Sequence, residues 1–254
     1  MDLQLSGRLA LIAGGSSGIG RATALLLAEE GCNLILVARD PVKLASTEAA
    51  IRQRSSAYVR LMTADLSLPL EVERIAADID QLDILVNNAS AIPPGDLFEV
   101  GDAQWREGWN LKVFGYIGLT RALYPQLKQS RGVVINIIGA ERNDPKFIAS
   151  ATGGAALTAF TRALGKAASD DGVRVVAISP GQVATERGEV FMRKLAKTEL
   201  GDENRWSEYY RKLPFGRPAS VEEIASAVAF LASPRSGYTN GTVLTIDGAP
   251  RLTP

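Results

Sequence analysis

Short apolar runs alternate along the chain with longer segments whose apolar residues recur at helical spacing. Few polar residues interrupt the runs, which is typical of strands buried on both faces of a sheet. The seven runs span residues 9–13, 33–38, 57–62, 83–87, 132–138, 173–178 and 242–246. Such alternation predicts a parallel sheet covered on both sides by helices. We therefore expect a doubly wound, seven-stranded α/β fold that forms one domain over residues 1–254.

Two of the intervening segments have clear helix signals. Residues 21–30 have helical periodicity, and Gly31 follows them as a helix-ending glycine. Ser220 and Glu223 have the spacing of a capping box, and the apolar residues after them fall on one helical face: Ile224, Val228 and Leu231. Another helix is expected to start near Pro41.

A glycine-rich turn joins the first strand to the first helix, with the sequence Gly14-Gly15-Ser16-Ser17-Gly18-Ile19-Gly20. Glycines permit a tight turn there, and they let backbone N–H groups and the positive end of the helix approach a pyrophosphate. The spacing is G-x-x-x-G-x-G, which differs from the more common G-x-G-x-x-G. The turn predicts a dinucleotide site at Gly14 and residues 16–20.

Composition and charge exclude several function classes. Basic and acidic residues balance at 28 each, which argues against a nucleic-acid surface. Cys32 is the only cysteine and histidine is absent, so we expect no internal disulfide, no metal site and no histidine acid–base chemistry. No stretch approaches the roughly 20 apolar residues of a membrane span, and the first residues do not resemble a signal peptide. We expect a cytoplasmic protein without a membrane partner.

Further motifs follow the predicted strands in a recognisable order. Asn87-Asn88-Ala89-Ser90 follows the fourth strand, Asn110 lies in the next long helix, Pro180-Gly181 with Thr185 follows the sixth strand, and Asp247-Gly248 lies near the end. With the glycine-rich turn, these marks resemble the short-chain dehydrogenase/reductase family over essentially the whole chain. The members most similar in pattern are those like 3-oxoacyl-carrier-protein reductase. The resemblance implies a Rossmann fold and additional cofactor contacts from Leu66, Asn88, Ala89, Ser90, Ile138, Pro180, Gly181, Val183 and Thr185.

The end of the second strand bears on the choice of cofactor. An enzyme selective for NAD places a carboxylate there, whereas Ala38-Arg39 offers a guanidinium suited to a 2′-phosphate. This favours NADP(H) over NAD(H), although Arg39 could also be a solvated surface residue. The resemblance places Asp65 in the adenine pocket, and the same carboxylate could instead cap a helix.

The catalytic positions differ from the family pattern. The resemblance puts Gly139 where the family has serine, Ser150 where it has tyrosine and Gly154 where it has lysine, so Asn110 alone remains of the usual tetrad. Ser150 is too weak an acid to replace a phenol near neutral pH. Tyr116 lies six residues after Asn110, which predicts that it points into the core or an interface. Charged residues crowd the loop after Gly139: Glu141, Arg142, Asp144 and Lys146.

A long segment, residues 182–218, separates the sixth strand from the last helix. It mixes charges with large apolar residues, including Phe191, Met192, Leu195, Leu200, Trp206, Tyr209, Tyr210, Leu213 and Phe215. This composition predicts a lid. The aromatic side chains indicate either a bulky, partly apolar substrate or anchors for the lid.

Three functions are compatible with these residues. The first is an NADP(H)-dependent oxidoreductase that acts on a carbonyl or alcohol through an atypical site. The second is a cofactor-binding pseudoenzyme with a structural or regulatory role, and the third is a non-redox lyase or isomerase on the same fold. We favour the first, because the cofactor motifs and the lid are retained.

The resemblance also implies a homotetramer. In the family, the helix corresponding to residues 105–124 and the helix after Ser150 pair across a two-fold axis, and the last strand forms another contact. We expect small residues to let these helices approach closely: Gly153, Gly154, Ala155, Ala156 and Ala159.

Overall fold

A computed structural model describes residues 1–139 and 145–249. Its seven strands are β1 Leu9–Ala13, β2 Asn33–Ala38, β3 Val59–Thr63, β4 Ile84–Asn87, β5 Val133–Ile137, β6 Arg174–Pro180 and β7 Val243–Ile246. They form one parallel sheet in the order β3-β2-β1-β4-β5-β6-β7. The predicted fold class is confirmed. Because all strands run the same way, the loops after β1, β4, β5 and β6 meet at one edge of the sheet.

Helices cover both faces of the sheet. They are α1 Gly18–Glu29, α2 Pro41–Arg52, α3 Pro69–Ala77, α4 Asp102–Trp109, α5 Gly115–Ser130, α6 Ile148–Ala168, α7 Glu186–Leu200, α8 Ser207–Tyr210 and α9 Val221–Ala232. A π-helical segment, Asn110–Phe114, joins α4 to α5. Alternate strand residues pack into two cores, one with α1, α2 and α9 and one with α3 and α5. In the part of the chain described, no helix is long and apolar enough to cross a lipid bilayer.

The helix ends follow the signals in the sequence. Gly31 adopts φ +86° directly after the C-cap of α1. The Asp40 carboxylate accepts hydrogen bonds from the backbone N–H groups of Val42 and Lys43 and so caps α2. Ser220 and Glu223 form the predicted capping box of α9. These local contacts confirm the predicted end of α1 and the predicted starts of α2 and α9, whereas α1 begins at Gly18, three residues before the predicted start.

A chain of buried amides and hydroxyls connects the centre of the sheet to two helices. The Asn87 side-chain amide donates to the Thr120 hydroxyl at 3.1 Å and to the side-chain oxygen Oδ1 of Asn136 at 2.9 Å. Asn136 in turn donates to the Thr161 hydroxyl at 3.0 Å. All four side chains are buried. These hydrogen bonds fix the ends of β4 and β5, which precede the loops of the candidate site.

We predict that Asn136→Leu lowers the free energy of unfolding by about 2–3 kcal/mol, because it leaves the buried Asn87 amide and Thr161 hydroxyl without this partner. Urea denaturation measures the change. Asn204→Leu, at an exposed position, is the matched control. If Asn136→Leu lowers the free energy of unfolding no more than Asn204→Leu does, these buried hydrogen bonds do not stabilise the fold as proposed.

Candidate active site

The glycine-rich turn lies directly against the loop after β4. Gly14 adopts φ +79°, and a Cβ atom there would approach the Ala89 Cα to 3.0 Å. A Cβ on Gly20 would overlap the Gly14 carbonyl oxygen. The Asn88 side-chain amide donates to that same oxygen at 3.1 Å. The two loops therefore meet backbone to backbone, which only glycine permits.

This turn forms one wall of an open groove at the carboxyl edge of the sheet. The groove is lined by Gly14, Ser16, Ser17, Val37, Ala38, Arg39, Asp40, Lys43, Ala64, Leu66, Asn88, Ala89, Ser90 and Leu111. Helix α1 begins beside it at Gly18, so the positive end of the helix points toward the groove. A glycine cradle next to a helix N-terminus fits the pyrophosphate of a dinucleotide. Eight of the seventeen residues predicted to contact a cofactor thus line this one groove.

Arg39 and Asp65 face each other at one end of this groove. Their nearest charged atoms, Nη1 and Oδ2, are 3.9 Å apart, and the Arg39 side chain is 57% exposed. The other Asp65 oxygen accepts hydrogen bonds from the N–H and hydroxyl groups of Ser67. Burial alone would raise the pKa of Asp65, but the Ser67 bonds and the Arg39 charge give a net lowering. The idea that Asp65 caps α3 is wrong, because the N-cap residue is Leu68.

The end of β6 holds the remaining predicted cofactor residues. Thr185 is the N-cap of α7, and its hydroxyl accepts from the Gly188 N–H at 3.0 Å. A Cβ on Gly18 would lie 3.3 Å from the Thr185 side chain, so this segment reaches the glycine-rich turn. Pro180 ends β6, and Gly181 packs so closely on Asp247 that a Cβ would come within 2.8 Å of its Cα. Val183 is buried and pairs with Ala219 in an isolated bridge.

The positions where the family has serine and lysine meet at the end of β5. Gly139 adopts φ +81° just after the strand. A Cβ on Gly154, in α6, would lie 3.5 Å from the Ile138 carbonyl oxygen and 3.9 Å from that of Gly139. Ser150 is half-buried in the first turn of α6. The two positions therefore lie close together at a candidate corner, but the two glycines contribute no functional group to it.

Asn110 lies elsewhere. Its side chain is exposed and lines an outer groove together with Trp105, Trp109 and Phe114. Asn110 begins the π-helical segment, whose wider turn changes which residues face the sheet. The structure therefore does not bring Asn110 to the end of β5, contrary to the role expected for it.

Lys112 occupies the corner instead. Its side chain is 4% exposed, and its Nζ donates to the Ile138 carbonyl oxygen at 2.7 Å. A Cβ on Gly139 would lie 3.5 Å from this Nζ. Tyr116, one turn further along, is buried and donates its hydroxyl hydrogen to the Ile137 carbonyl oxygen at 3.2 Å. The prediction that Tyr116 points into the core is confirmed.

Arg187 adds a second positive charge near this corner. Its guanidinium donates to the carbonyl oxygens of Ser90 at 2.7 Å and Ile92 at 2.6 Å, which ties the start of α7 to the loop after β4. Burial, with a smaller contribution from the Arg187 charge, lowers the pKa of Lys112 to about 8. Neither cation forms an ion pair within the described residues.

The predicted lid is mostly helical, and its aromatic residues contact one another or the segment before α6. Phe191 packs edge-on against Phe147, with ring centroids 5.4 Å apart, and Trp206 packs against Tyr210 at 5.1 Å. Lys146 forms an ion pair with Glu199 of α7 at 3.0 Å. These contacts favour the anchoring role for Phe191 and Trp206. The other charges predicted to crowd the loop after Gly139, those of Glu141, Arg142 and Asp144, lie outside the described residues.

Sequence reasoning missed Lys112 and Arg187. A signal for Lys112 was available, because it is the single charge within the run Leu111-Lys112-Val113-Phe114 of a helix that packs on the sheet. No comparable signal existed for Arg187, whose partners are backbone carbonyl groups of a distant loop.

Comparisons with known proteins agree with this geometry. A family model described as enoyl-(acyl carrier protein) reductase matches residues 13–249. The chain is 29% identical over 253 residues to a 3-oxoacyl-[acyl-carrier-protein] reductase of Thermotoga maritima, covering 97% of this chain and 98% of the relative. It is 32% identical to a galactitol 2-dehydrogenase (L-tagatose-forming) of Cereibacter sphaeroides, covering 96% and 95%.

Solved structures extend the comparison. L-sorbose reductase from Gluconobacter frateurii, in complex with NADPH and L-sorbose, superposes with a TM-score of 0.92. The two chains share 30% sequence identity, and the match covers 100% of each. The fold and its cofactor loops are thus those of proteins that bind a nicotinamide dinucleotide.

We predict that Lys112→Met stabilises the protein at pH 7 but not at pH 10.5. The unfolded chain holds this proton up to its ordinary pKa, whereas the folded chain releases it near pH 8. Burial of the protonated form therefore destabilises the wild type below pH 8, by an amount on the order of 3 kcal/mol, and this cost disappears as the pH rises toward 10.5.

Denaturation of the wild type and of Lys112→Met between pH 7 and pH 10.5 measures the difference in their free energies of unfolding. The lost hydrogen bond to Ile138 offsets part of the gain by a constant amount, so the decisive quantity is the slope with pH. A difference in unfolding free energy that does not change between these pH values would refute a buried, titrating Lys112.

Proposed function

The chain belongs to the short-chain dehydrogenase/reductase family of NAD(P)-dependent oxidoreductases, and we propose that it transfers hydride between NADP(H) and a carbonyl or alcohol substrate. The observation that supports this most directly is the retained cofactor groove, with its glycine cradle at Gly14 and Gly20 and with Ser90 in its lining. The nicotinamide cofactor supplies or accepts the hydride when bound. The protein's own residues orient the two reactants and manage the proton.

The preference for NADP(H) rests on Arg39. Its guanidinium is more than half exposed, stands at the mouth of the groove, and has Asp65 at 3.9 Å as its nearest carboxylate partner. Lys43 lines the same end of the groove. Two basic side chains beside the ribose end suit a 2′-phosphate, because charge-assisted phosphate contacts are strong and directional.

We predict that the protein binds NADPH more tightly than NADH and that Arg39→Ala removes most of the difference. One such contact contributes roughly 1.5–3 kcal/mol, so we expect a loss of about 10- to 100-fold in NADPH affinity and little change for NADH. Calorimetric titration measures both. Arg52→Ala, whose guanidinium pairs with Glu48 on α2, is the control. Equal affinities for the two cofactors in the wild type would rule the preference out.

For the substrate we propose a partly apolar small molecule with a carbonyl or hydroxyl group. The bulk expected of it has less support, because Phe191 and Trp206 pack against other aromatic residues. Buried apolar side chains surround the candidate corner, among them Ile92, Leu111 and Ile138. The names of the relatives reported above give a 3-oxoacyl-[acyl-carrier-protein], galactitol and L-sorbose as their substrates.

Turnover separates this proposal from the pseudoenzyme alternative. The assay follows the absorbance of NADPH with a panel of ketones that includes L-sorbose, L-tagatose and an acetoacetyl thioester. We expect at least one compound of the panel to cause substrate-dependent oxidation of NADPH. Rates below those of family members with an intact tetrad are expected, because Gly139, Ser150 and Gly154 provide no phenol or ammonium. Tight NADPH binding without turnover of any ketone would favour the pseudoenzyme.

We further propose a homotetramer, although two of the residues that the sequence predicts for its interface face the interior of the subunit. A Cβ on Gly153 would meet Val113 and Trp109 of the same chain, and Gly154 faces Ile138. Ala155 and Ala159, by contrast, are exposed on one face of α6. Elsewhere, Phe114 is 58% exposed and Leu244 on the edge strand β7 is 39% exposed. These apolar positions suit two separate two-fold contacts.

Light scattering should give about four times the 27.1 kDa subunit mass. We predict that Ala159→Glu reduces the tetramer to dimers, because it introduces a charge into one proposed contact. Ala49→Glu, at an exposed position of α2, is the matched control and should leave the tetramer intact. A wild-type monomer at micromolar concentration would contradict the proposal.

A further inference from the structure

The corner that lacks the family's catalytic side chains still contains a buried ammonium group. We propose that Lys112 is the catalytic acid of this protein, and that it supplies from the π-helical segment both the positive charge and the proton that the positions of Ser150 and Gly154 do not provide. This inference rests on the proposed oxidoreductase function. It goes beyond that function by naming the residue that handles the proton.

Geometry is the first support. The Lys112 Nζ lies 2.7 Å from the Ile138 carbonyl oxygen, and a Cβ on Gly154 would lie 3.5 Å from that same oxygen. An ammonium at Lys112 therefore occupies the surroundings that a side chain from position 154 would enter. The two residues approach one carbonyl group from different helices.

Space is the second support. Gly139 has no side chain. Its chain neighbours aside, a Cβ built there would have the Lys112 Nζ, at 3.5 Å, as the one atom within 4 Å in the part of the chain described. The ammonium thus lies next to the place where a side chain at position 139 would begin. An ammonium has three N–H donors, and the Ile138 oxygen uses one of them. The others remain available for a substrate oxygen.

The cost of burial is the third support. An ammonium shielded from water and without a carboxylate partner is unfavourable, and a methionine would fill similar space without that cost. The described residues provide Lys112 with no ion pair. A charge kept at such a cost, one residue from Leu111 of the cofactor groove, is typical of functional sites.

The electrostatic surroundings suit an acid that works near neutral pH. From α7, Arg187 faces Lys112 and lowers its pKa, adding to the larger effect of burial. On the next turn of its own helix, Tyr116 is committed to the Ile137 carbonyl oxygen. Near Lys112, the end of β5 contributes carbonyl oxygens and α6 contributes Gly153 and Gly154, so these two elements place no charged side chain there. A pKa of about 8 is close to the working pH, where proton donation is most effective.

Reduction of a carbonyl group to an alcohol requires one hydride and one proton. The substrate carbonyl carbon accepts a hydride from the reduced nicotinamide, and the electron pair of the C=O π bond moves to the oxygen. The Lys112 ammonium gives that oxygen a proton, which produces the alcohol and a neutral amine. The amine regains a proton from solvent when the product leaves. In the oxidation direction the neutral amine accepts the proton from the alcohol.

The activity test uses the panel ketone with the highest NADPH-linked rate and compares three variants with the wild type. Lys112→Met should lower kcat by 10²-fold or more while the Kd for NADPH stays the same, since general acid catalysis contributes about 10²- to 10⁴-fold. Lys112→Arg keeps the charge but does not titrate, so it should retain part of the rate. Lys166→Met, exposed near the end of α6, is the control.

The pH profile separates an acid from a structural cation. Wild-type kcat for reduction should fall as the pH rises through about 8, because the neutral amine cannot donate. The Lys112→Arg profile should show no such fall. An unchanged kcat in Lys112→Met, or the same alkaline fall in Lys112→Arg, would overturn the assignment.

Reductive methylation with formaldehyde and cyanoborohydride tests the site without any turnover. Formaldehyde is a small carbonyl that reacts only with neutral, reachable amines. At pH 7 we expect Lys112 to be methylated faster than Lys166 in peptide mass spectra, since its lowered pKa leaves more neutral amine. A Lys112 that stays unmodified after the exposed lysines have reacted would overturn the proposal.

The activity test also separates this inference from the function on which it rests. Turnover that survives in Lys112→Met overturns the inference and leaves the oxidoreductase intact. Absence of turnover of every ketone by the wild type overturns the proposed function, and the catalytic role of Lys112 falls with it.

Discussion

A hydrogen bond of 2.7 Å, from the Lys112 ammonium to the Ile138 carbonyl oxygen, fixes a positive charge at the end of a central strand. The charge is buried, has no carboxylate partner among the described residues, and lies 3.5 Å from where a Cβ of Gly139 would be. A folded protein accepts such a group only when the surrounding structure holds it in place. The supporting structure includes the π-helical segment, the buried amide chain below it and the Arg187 contacts above it.

Each of these supports has a different physical origin. The π-helical segment Asn110–Phe114 turns Lys112 toward the sheet and leaves Asn110 in solvent. Asn87 and Asn136 hold the ends of β4 and β5 through buried hydrogen bonds. Arg187 joins α7 to the loop after β4 through two carbonyl oxygens. The cofactor groove and the candidate corner are thereby parts of one rigid edge of the sheet.

Local signals made most of the fold predictable. Buried strands such as Leu9–Ala13, the Asp40 and Ser220 caps and the Gly31 helix end depend on residues close in sequence. The cofactor groove was also predictable, because the glycine-rich turn is itself a local motif. The catalytic corner was not. The direction of Lys112 depends on a π-helical turn, and the inward packing of Gly153 and Gly154 depends on a neighbouring helix, so neither leaves a simple periodic signal.

A crystal structure of the complex with NADPH tests the account most directly. The account predicts an ordered nicotinamide in the groove, with the Lys112 Nζ as the nearest charged side-chain atom to the carbon that carries the hydride. It also predicts that Lys112 keeps its bond to Ile138. A cofactor bound only through its adenine half, or a nicotinamide whose nearest charged group is another side chain, would contradict it.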